Sequence, residues 1–332
     1  MSLKQPQELL KHPVCVIGNL CVDLIIRNVP AMPVWGQEVN GTNHMLVSSG
    51  QTGYTAFALR RLGIPTSVIG SVGEDLNGKQ IIEDLKSYGV DTDGVIVTPG
   101  GQTGITVAIV REDGERAFIS TLGTSKDFNE EMILNQWNKP SEASIFCLVG
   151  LFSTPSLTLK SAARLLRKAR QANKVTMLDT GWDPQNWQPN TIAGLKEVLS
   201  ETTLFMPNFD EAHAITGENT PEGAIITLKE LGPEIVVIKC GSEGSYCRKD
   251  DVTFFVPPRK VHVFDAVGAG DTFNAGFLFG FRHDWPLDAC LAFGNTTASI
   301  YISRITDRWP WLEEVTATAK TSYPFISGGI KI

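Results

Sequence analysis

Short apolar runs rich in β-branched residues alternate along the chain with stretches in which apolar positions recur every three or four residues. The first pattern is typical of buried strands and the second of helices with one buried face. Strands are predicted at Val14–Ile17, Thr66–Ile69, Ser144–Val149, Val175–Leu178, Thr203–Met206 and Ile235–Lys239. Helices are predicted at Thr52–Leu62, Gly78–Tyr88, Ser156–Ala172 and Pro221–Leu231. The alternation predicts a parallel sheet inside a helix-covered α/β sandwich.

Two segments depart from this alternation. Leu24–Val47 and Thr103–Thr121 have the pattern of strands joined by turns, and Asp113-Gly114 is a turn signal inside the second. We expect them to pair as a small separate sheet that covers the carboxyl edge of the main sheet, where α/β proteins bind ligands. Because no linker and no repeat of fixed period interrupts the 332 residues, we expect one domain with this lid as an embellishment.

Composition and charge exclude several function classes. The net charge is -7 and the basic residues are scattered, which argues against a nucleic-acid-binding face. The longest apolar runs, such as Ile145–Phe152, are shorter than the roughly 20 residues of a membrane span, so no membrane partner is expected. The first 13 residues have no apolar stretch, and the six cysteines form no Cys-x-x-Cys pair. We therefore expect a cytoplasmic protein with reduced, buried cysteines.

The strongest chemical signal is Asp265-Ala-Val-Gly-Ala-Gly-Asp-Thr272, between a predicted strand at Val261–Phe264 and a predicted helix at Thr272–Phe281. The backbone amides of Gly268, Ala269 and Gly270 would meet an anion, such as a transferring phosphoryl group, at the helix N-terminus. Asp271 could accept the proton of an attacking hydroxyl. The alternative is a glycine-rich turn with an acidic cap. Phe273 replaces the third glycine of a dinucleotide fingerprint, and no P-loop occurs in the sequence.

These residues resemble the C-terminal signature of the PfkB carbohydrate kinase family, also called ribokinase-like, in which Asp-Thr-x-Gly-Ala-Gly-Asp precedes a helix. The resemblance implies a three-layer α/β/α sandwich over 12–332 with a mostly parallel central sheet and a β-sheet lid at about 24–47 and 103–121. It also implies the cofactors ATP and Mg²⁺. In the family the last Asp is the catalytic base and the Gly-Ala-Gly amides form an anion hole. Here these roles fall on Asp271 and on 268–270, while Ala266 replaces the usual Thr.

Asn208-Phe-Asp-Glu211 resembles the family's Asn-x-x-Glu motif, which is associated with Mg²⁺ and phosphate binding. Residues three apart on a helical turn face the same way, so the Asn208 amide and the Glu211 carboxylate could hold the water shell of Mg²⁺. The same spacing also describes an Asn cap with Glu at the fourth position.

The acceptor site is expected at two N-terminal segments. Gly18–Asp23 resembles the family segment whose Asp holds sugar hydroxyls, although Asp23 also suits a turn or a cap. The segment from Ser49, which includes Gly50, Gln51 and Tyr54, resembles a Gly-Gly-x-x-x-Asn stretch that opens a helix. Because Tyr54 replaces the substrate-contacting Asn, we expect it either to fill the pocket or to point away and leave the polar contacts to Gln51 or Thr55.

The nucleotide is expected beside Lys239-Cys-Gly-Ser-Glu-Gly244, which resembles the family's Lys-x-Gly-x-x-Gly turn. The ATP-binding candidates are Lys239, Gly241, Gly244 and Asn295. In part of the family carbonyl groups coordinate potassium, and the corresponding positions here are Asp265, Val267 and Ser303. Asp179–Pro184 lacks the Asn and Arg of the family's Asp-x-Asn-x-Arg segment, so we assign it no catalytic role.

The sequence therefore predicts an ATP-dependent kinase that phosphorylates a hydroxyl group of a small sugar-like molecule. Two alternatives stay open: a kinase of a nucleoside or other small alcohol on the same fold, and a catalytically silent sugar sensor. The expected partners are the small molecule, ATP and a second copy that pairs through the lid. Which sugar, sugar acid or nucleoside is the acceptor cannot be read from the sequence.

Overall fold

The structure is a computed structural model, and it describes residues 6–113 and 115–326. The strands are β1 Val14–Gly18, β2 Cys21–Arg27, β3 Asn43–Ser49, β4 Thr66–Gly73, β5 Asp91–Thr98, β6 Thr103–Val110, β7 Arg116–Gly123, β8 Ile145–Val149, β9 Val175–Asp179, β10 Leu204–Phe205, β11 Ile235–Lys239, β12 Ser245–Lys249 and β13 Val252–Val256. The helices are α1 Pro6–Lys11, α2 Gly50–Arg61, α3 Leu76–Ser87, α4 Glu130–Asn135, α5 Asn138–Glu142, α6 Leu159–Gln171, α7 Pro189–Ser200, α8 Phe209–Thr216, α9 Pro221–Glu230, α10 Ala269–Arg282, α11 Leu287–Ile302 and α12 Leu312–Ser322.

The central sheet has the strand order β13-β12-β11-β10-β9-β8-β1-β4-β5. The pairs from β11 to β5 are parallel, and the hairpin of β12 and β13 adds two antiparallel strands at one edge. The six strands predicted between Val14 and Lys239 are in this sheet, so the predicted fold class is confirmed. The strand predicted at Val261–Phe264 is wrong. This segment is largely exposed, and the Phe264 amide donates to the carbonyl of Ile302, in α11, instead of to a neighbouring strand. The sequence patterns did not indicate β5, β12 and β13, in which most positions are exposed or half-buried.

Buried side chains on both faces of the sheet explain the continuous apolar runs. In β1, Val14 and Val16 face one core, while Cys15 and Ile17 face the other. Successive side chains of a strand point to opposite faces, so a strand covered by helices on both sides has no solvent-facing position. The first core contains residues of α2, α10 and α11, and the second contains residues of α6, α7 and α9. The result is the expected three-layer sandwich.

A second sheet with the strand order β3-β2-β6-β7 forms the lid. β2 is parallel to β6, and the other two pairs are antiparallel, so the two lid segments pair as expected. Gly114 of the expected Asp113-Gly114 turn lies outside the described residues, as do residues 327–332 of the expected domain. β1 leads into β2 through Asn19 and Leu20, so the lid starts directly at the carboxyl end of a central strand.

No helix in the described part of the chain is both long and apolar enough to cross a membrane. The six cysteines all lie in this part, and each is a free thiol. Five of them are buried, as expected, and Cys240 is half-buried.

Candidate active site

A cavity of about 800 Å³ opens at the carboxyl edge of the parallel strands. It is lined by strand ends, the turn after β11, the N-termini of α8 and α10, residues of α2 and α11, the segment 258–266 and one lid strand. The lining includes Gln51, Arg116, Asp179, Asn208, Glu211, Lys239, Gly241, Gly244, Ala269, Gly270, Asp271 and Asn295. Most of the predicted catalytic, metal and nucleotide residues therefore meet in one cavity, of a size typical for small-molecule sites.

The N-terminus of α10 supplies the reactive groups predicted from the glycine-rich segment. The helix begins at Ala269, and its cap residue Gly268 has a φ of 81°, in the left-handed region that favours glycine. A Cβ at Gly268 would lie 2.7 Å from Cδ1 of Tyr54, so no side chain fits there. The Ala269 amide donates to the Ala266 carbonyl at 3.2 Å. Because the first amides of a helix have no intrahelical acceptor, the neighbouring amides of this turn can receive an anion.

Asp271 lies in the first turn of α10 and is 7% exposed. Among the described residues its Oδ1 has no hydrogen-bond partner. Burial raises the pKa of the Asp271 carboxyl well above its usual value, and the charge of Asp179 raises it further, whereas Lys239 acts in the opposite direction. A hydrogen bond from Gln51 also lowers this pKa, but Oδ1 stays free. A carboxylate with one free oxygen and a raised pKa is suited to accept a proton from a hydroxyl group.

Lys239 and Asp179 form a buried ion pair that the sequence did not indicate. Nζ of Lys239, at the end of β11, lies 2.6 Å from Oδ2 of Asp179, at the end of β9. Burial tends to lower the pKa of Lys239, but the carboxylates of Asp179 and Glu211 outweigh it and the pKa is raised. The lysine therefore stays charged beside three acidic side chains, those of Asp179, Glu211 and Asp271.

The Asp179 carboxylate also orders its surroundings. It accepts hydrogen bonds from Nδ2 of Asn274 at 2.7 Å and from Nε2 of Gln51 at 3.3 Å. No catalytic role is predicted for Asp179 from the sequence, and Asn274 is not among the predicted site residues. A usable signal was present for Asp179, because a polar residue directly after a buried parallel strand lies at the ligand-binding edge of the sheet.

Asn208 and Glu211 form a capping box at the start of α8, so the alternative interpretation of this motif is present in the structure. Oδ1 of Asn208 accepts from the Glu211 amide at 2.8 Å, and Oε2 of Glu211 accepts from the Asn208 amide at 3.0 Å. Burial and the charge of Asp179 raise the pKa of Glu211 to about 7. The capping box uses only Oε2 of Glu211, so its other oxygen can still contact a ligand in the cavity.

The side-chain oxygens that line this cavity fit a magnesium ion that is held mainly by water and phosphate oxygens. Among the residues that the structure describes, no group of three acidic, histidine or cysteine side chains is arranged as a metal cage. Mg²⁺ keeps several waters and usually takes one or two protein carboxylates, and Glu211 and Asp271 line the same cavity.

The predicted nucleotide residues Gly241 and Gly244 lie in the turn between β11 and β12, where Gly244 has a φ of 98°. A Cβ at Gly244 would lie 2.3 Å from the carbonyl oxygen of Val256, so the turn requires glycine. Asn295, on α11, donates through Nδ2 to the carbonyl oxygens of Val256 and Pro257.

The predicted acceptor residues divide into two groups. Gln51 lines the cavity, whereas Asp23, Gly50 and Tyr54 lie outside its lining. Tyr54 is 3% exposed, and its hydroxyl donates to Oδ2 of Asp23 at 2.7 Å. It therefore neither fills the cavity nor points away from the site, and instead lies beneath Gly268. Burial raises the pKa of Asp23, and the Tyr54 hydrogen bond acts against this increase.

The oxygens expected to bind potassium are already in contact with an arginine. Nη2 of Arg308 donates to the carbonyl oxygens of Asp265 at 3.2 Å and of Val267 at 3.3 Å. The hydroxyl of Ser303 donates to the carbonyl of Ile300 at 2.8 Å. The set formed by Asp265, Val267 and Ser303 therefore does not fit a free monovalent cation, because a fixed guanidinium takes two of its carbonyl groups.

Comparison with known proteins gives a consistent assignment along the chain. A family model described as pfkB family carbohydrate kinase matches residues 11–312. An uncharacterized sugar kinase of Archaeoglobus fulgidus is 32% identical over 74% of this chain and 94% of its own length. Ribokinase of Haemophilus influenzae is 26% identical over 89% of this chain and 94% of its own length. A 5-dehydro-2-deoxygluconokinase of Geobacillus kaustophilus is 26% identical over 90% of this chain and 91% of its own length.

Solved structures share the fold. Arabidopsis thaliana ribokinase complexed with ribose and ATP superposes with a TM-score of 0.79 at 24% identity, over 93% of this chain and 99% of that chain. A putative ribokinase II from E. coli in complex with ATP and Mg²⁺ gives a TM-score of 0.78 at 24% identity, over 94% and 100%.

Proposed function

Because the chain belongs to the pfkB family of carbohydrate kinases, we propose that it transfers the γ-phosphoryl group of ATP to a hydroxyl group of a small carbohydrate, with Asp271 as the base. The observation that carries this proposal is the buried, unpaired Oδ1 of Asp271 beside the glycine-rich first turn of α10. We take residues 12–332 as one kinase domain with the lid inserted in it.

In the proposed step the acceptor oxygen attacks the γ-phosphorus as its proton passes to the Asp271 carboxylate, and the bond to the β-phosphate oxygen breaks to release ADP. The amides of Gly268, Ala269 and Gly270 would stabilise the charge on the transferring group. Asp23 would hold hydroxyl groups of the acceptor. The lid strand β7 contributes Arg116 to the cavity lining, which supports a lid that excludes water.

For the nucleotide, we propose contacts with Lys239, Gly241, Gly244 and Asn295, which all line the cavity. Lys239 is a charged donor close to the base and could contact the transferring phosphoryl group. Bound Mg²⁺ would neutralise phosphate charge, and Glu211 with Asn208 would hold it through its water shell.

Acceptor identity is tested by assaying ATP-dependent phosphorylation of ribose, fructose, 2-keto-3-deoxygluconate and adenosine. Turnover of a sugar or sugar acid supports the proposal, and turnover of adenosine alone would favour the nucleoside kinase. Asp271→Asn should lower kcat by about 10²- to 10⁴-fold with ATP binding retained, since it removes only proton acceptance. Asp288→Asn, in the first turn of α11, is the matched control. Normal turnover by Asp271→Asn would contradict the assigned base, and ligand binding without any turnover would indicate a sensor.

A homodimer through the lid remains part of the proposal. Leu46, Leu24, Val107 and Ile119 form one row across the four lid strands, and Leu46 and Ile119 are each 59% exposed. An apolar row on a sheet face is suited to pairing with a second copy. Light scattering of the wild type and of Ile119→Glu tests this: a dimer that the substitution dissociates supports it, and a monomeric wild type contradicts it.

A further inference from the structure

Arg308 places a buried positive charge directly beneath the loop that leads into α10. The residue is 3% exposed and lies in the segment between α11 and α12. Besides its hydrogen bonds to the carbonyls of Asp265 and Val267, its Nη1 lies 3.1 Å from Oδ2 of Asp265. Its guanidinium carbon lies 4.1 Å from the centre of the Tyr301 ring. A single fixed cation thus contacts three oxygens of this loop and one aromatic face.

One carboxylate contacts both Arg308 and a second arginine. The Asp265 carboxylate also accepts a 2.9 Å hydrogen bond from Nη2 of Arg27, on lid strand β2. Two buried guanidinium groups therefore share the Asp265 carboxylate, which alone does not neutralise both of them. Burying an unpaired charge is unfavourable unless dipoles solvate it. The carbonyl groups of Asp265 and Val267 supply those dipoles, as they would for a small monovalent cation.

The contacts of Arg308 also fix the orientation of the loop. In a trans peptide the C=O and N–H groups point in opposite directions. Carbonyls of Asp265 and Val267 held toward Arg308 therefore direct the amides of Ala266 and Gly268 away from it. Gly268 is the cap residue of α10, and its amide belongs to the anion hole of the proposed function. Tyr301 reinforces this orientation, because its hydroxyl donates to the Val267 carbonyl at 2.9 Å.

We propose that the Arg308 guanidinium is a built-in substitute for a monovalent cation, which orients the 265–268 loop and makes phosphoryl transfer by this chain independent of potassium. The inference rests on the proposed kinase function. Arg308 is a positioning residue, since it touches the loop and not the reacting atoms. This chain should therefore need no potassium, whereas the family resemblance suggests potassium binding at these carbonyl groups.

The experiment compares phosphorylation rates in potassium, sodium and tetramethylammonium chloride at equal ionic strength. Wild-type kcat should agree within about twofold in all three salts. Arg308→Ala should lose roughly 100-fold in tetramethylammonium, on the scale of a lost anion-hole donor. Added potassium or guanidinium ions should raise the kcat of Arg308→Ala at least tenfold, because either ion can occupy the vacated site. Arg308→Lys, which keeps the charge, should retain more activity than Arg308→Ala without any added ion.

Arg61→Ala is the matched control. Arg61 pairs with Asp307 at 2.6 Å and lies 4.0 Å from the Trp311 ring, so it makes the same kinds of contact away from the loop. Its variant should show no dependence on the salt. A purely structural role of Arg308 would give lower activity in every salt without rescue by an ion.

Thermal unfolding supplies a readout that needs no acceptor. Potassium should raise the Tm of Arg308→Ala relative to tetramethylammonium and leave the wild-type Tm unchanged. Activation of the wild type tenfold or more by potassium would overturn the Arg308 proposal and leave the kinase function intact. A folded Arg308→Ala that neither potassium nor guanidinium affects would also overturn it. If no acceptor is phosphorylated, the kinase proposal fails, while the Tm comparison still decides whether Arg308 replaces a bound cation. If Arg308→Ala does not fold, Arg308→Gln replaces it in both measurements.

Discussion

The hydroxyl of Tyr54 donates a 2.7 Å hydrogen bond to the carboxylate of Asp23, across the junction between α2 and lid strand β2. Both side chains are buried, at 3% and 5% exposure. One Asp23 oxygen is thus committed to the protein, and the bond keeps the pKa of Asp23 lower than burial alone would set it. Tyr54 therefore affects the proposed acceptor site through Asp23. The hydrogen bond between the two residues connects α2 to the lid.

Replacement of Tyr54 by Phe should raise the acceptor KM about tenfold and change the ATP KM by less than about twofold. Without the hydroxyl the pKa of Asp23 rises, so more of the carboxyl is protonated at a given pH. A higher assay pH should then restore the acceptor KM. The free energy of unfolding should fall by about 1–3 kcal/mol, because a buried oxygen loses its partner.

Tyr246→Phe is the control for this substitution, because the Tyr246 hydroxyl donates to Glu222 at 2.6 Å on the exposed side of α9. It should leave both KM values unchanged. Equal effects of Tyr54→Phe on the two KM values would contradict the assignment of Asp23 to the acceptor.

Substitution of Gly268 by Ala tests the packing beneath the anion-hole turn. The new Cβ would lie 2.7 Å from the Tyr54 ring and 2.9 Å from the Tyr301 hydroxyl, at a φ of 81°. Left-handed strain of about 1–2 kcal/mol and a steric clash of about 1–3 kcal/mol should add, with loss of most activity. Denaturant unfolding and kcat measure these effects.

Gly63→Ala separates the two contributions, because Gly63 has a nearly identical φ of 78° and open space around its Cβ position. It should cost only the backbone strain, about 1–2 kcal/mol. An equal loss of stability in the two variants would show that contact with Tyr54 and Tyr301 does not restrict position 268.

Asp179→Asn should move the acid limb of the pH profile of kcat/KM to lower pH. Activity requires the Asp271 carboxylate, so it is lost as the pH falls through the raised pKa of Asp271. The charge of Asp179 raises that pKa, and its removal lowers it. Asp183→Asn, in the same loop but bonded to the backbone of Gln185 and Trp187, should leave the limb in place. A shift to higher pH would contradict Asp271 as the base.

Glu211 should make the fold less stable as the pH rises. Its pKa is about 7 in the folded chain and 4.5 ordinarily, so the folded state holds the proton more tightly. This contribution is complete below 4.5 and is lost as the pH rises through about 7. In Mg²⁺-free buffer, the free energy of unfolding of the wild type should therefore fall across this pH interval. In Glu211→Gln the fall should be smaller, by up to about 1.4 kcal/mol per pH unit.

Glu230→Gln, at the exposed end of α9, should leave the pH dependence of stability unchanged. Parallel curves for wild type and Glu211→Gln would exclude a protonated Glu211 in the folded chain.

Features that depend on neighbouring residues could be predicted from the sequence. The left-handed Gly268 followed by the first turn of α10, and the cap formed by Asn208 with Glu211, involve residues at most a few positions apart. Backbone dihedrals and helix-end hydrogen bonds are local, so a motif specifies them. Continuous apolar runs also indicated the buried parallel strands, whereas edge strand β5, which begins with Asp91, Asp93 and Gly94, is mostly exposed or half-buried.

The tertiary structure alone decided which distant side chains meet. Lys239 and Asp179 are 60 residues apart in the chain, Asn274 and Asp179 are 95 apart, and Arg308 reaches the Asp265 carbonyl across 43 residues. These contacts depend on the order of the strands and on the path of the chain after α11, which no local pattern encodes. The sequence by itself therefore determined the fold and the glycine-rich turn with its carboxylate. The packing decided the charges around that turn, because electrostatic interactions depend on distance in space and not on separation along the chain.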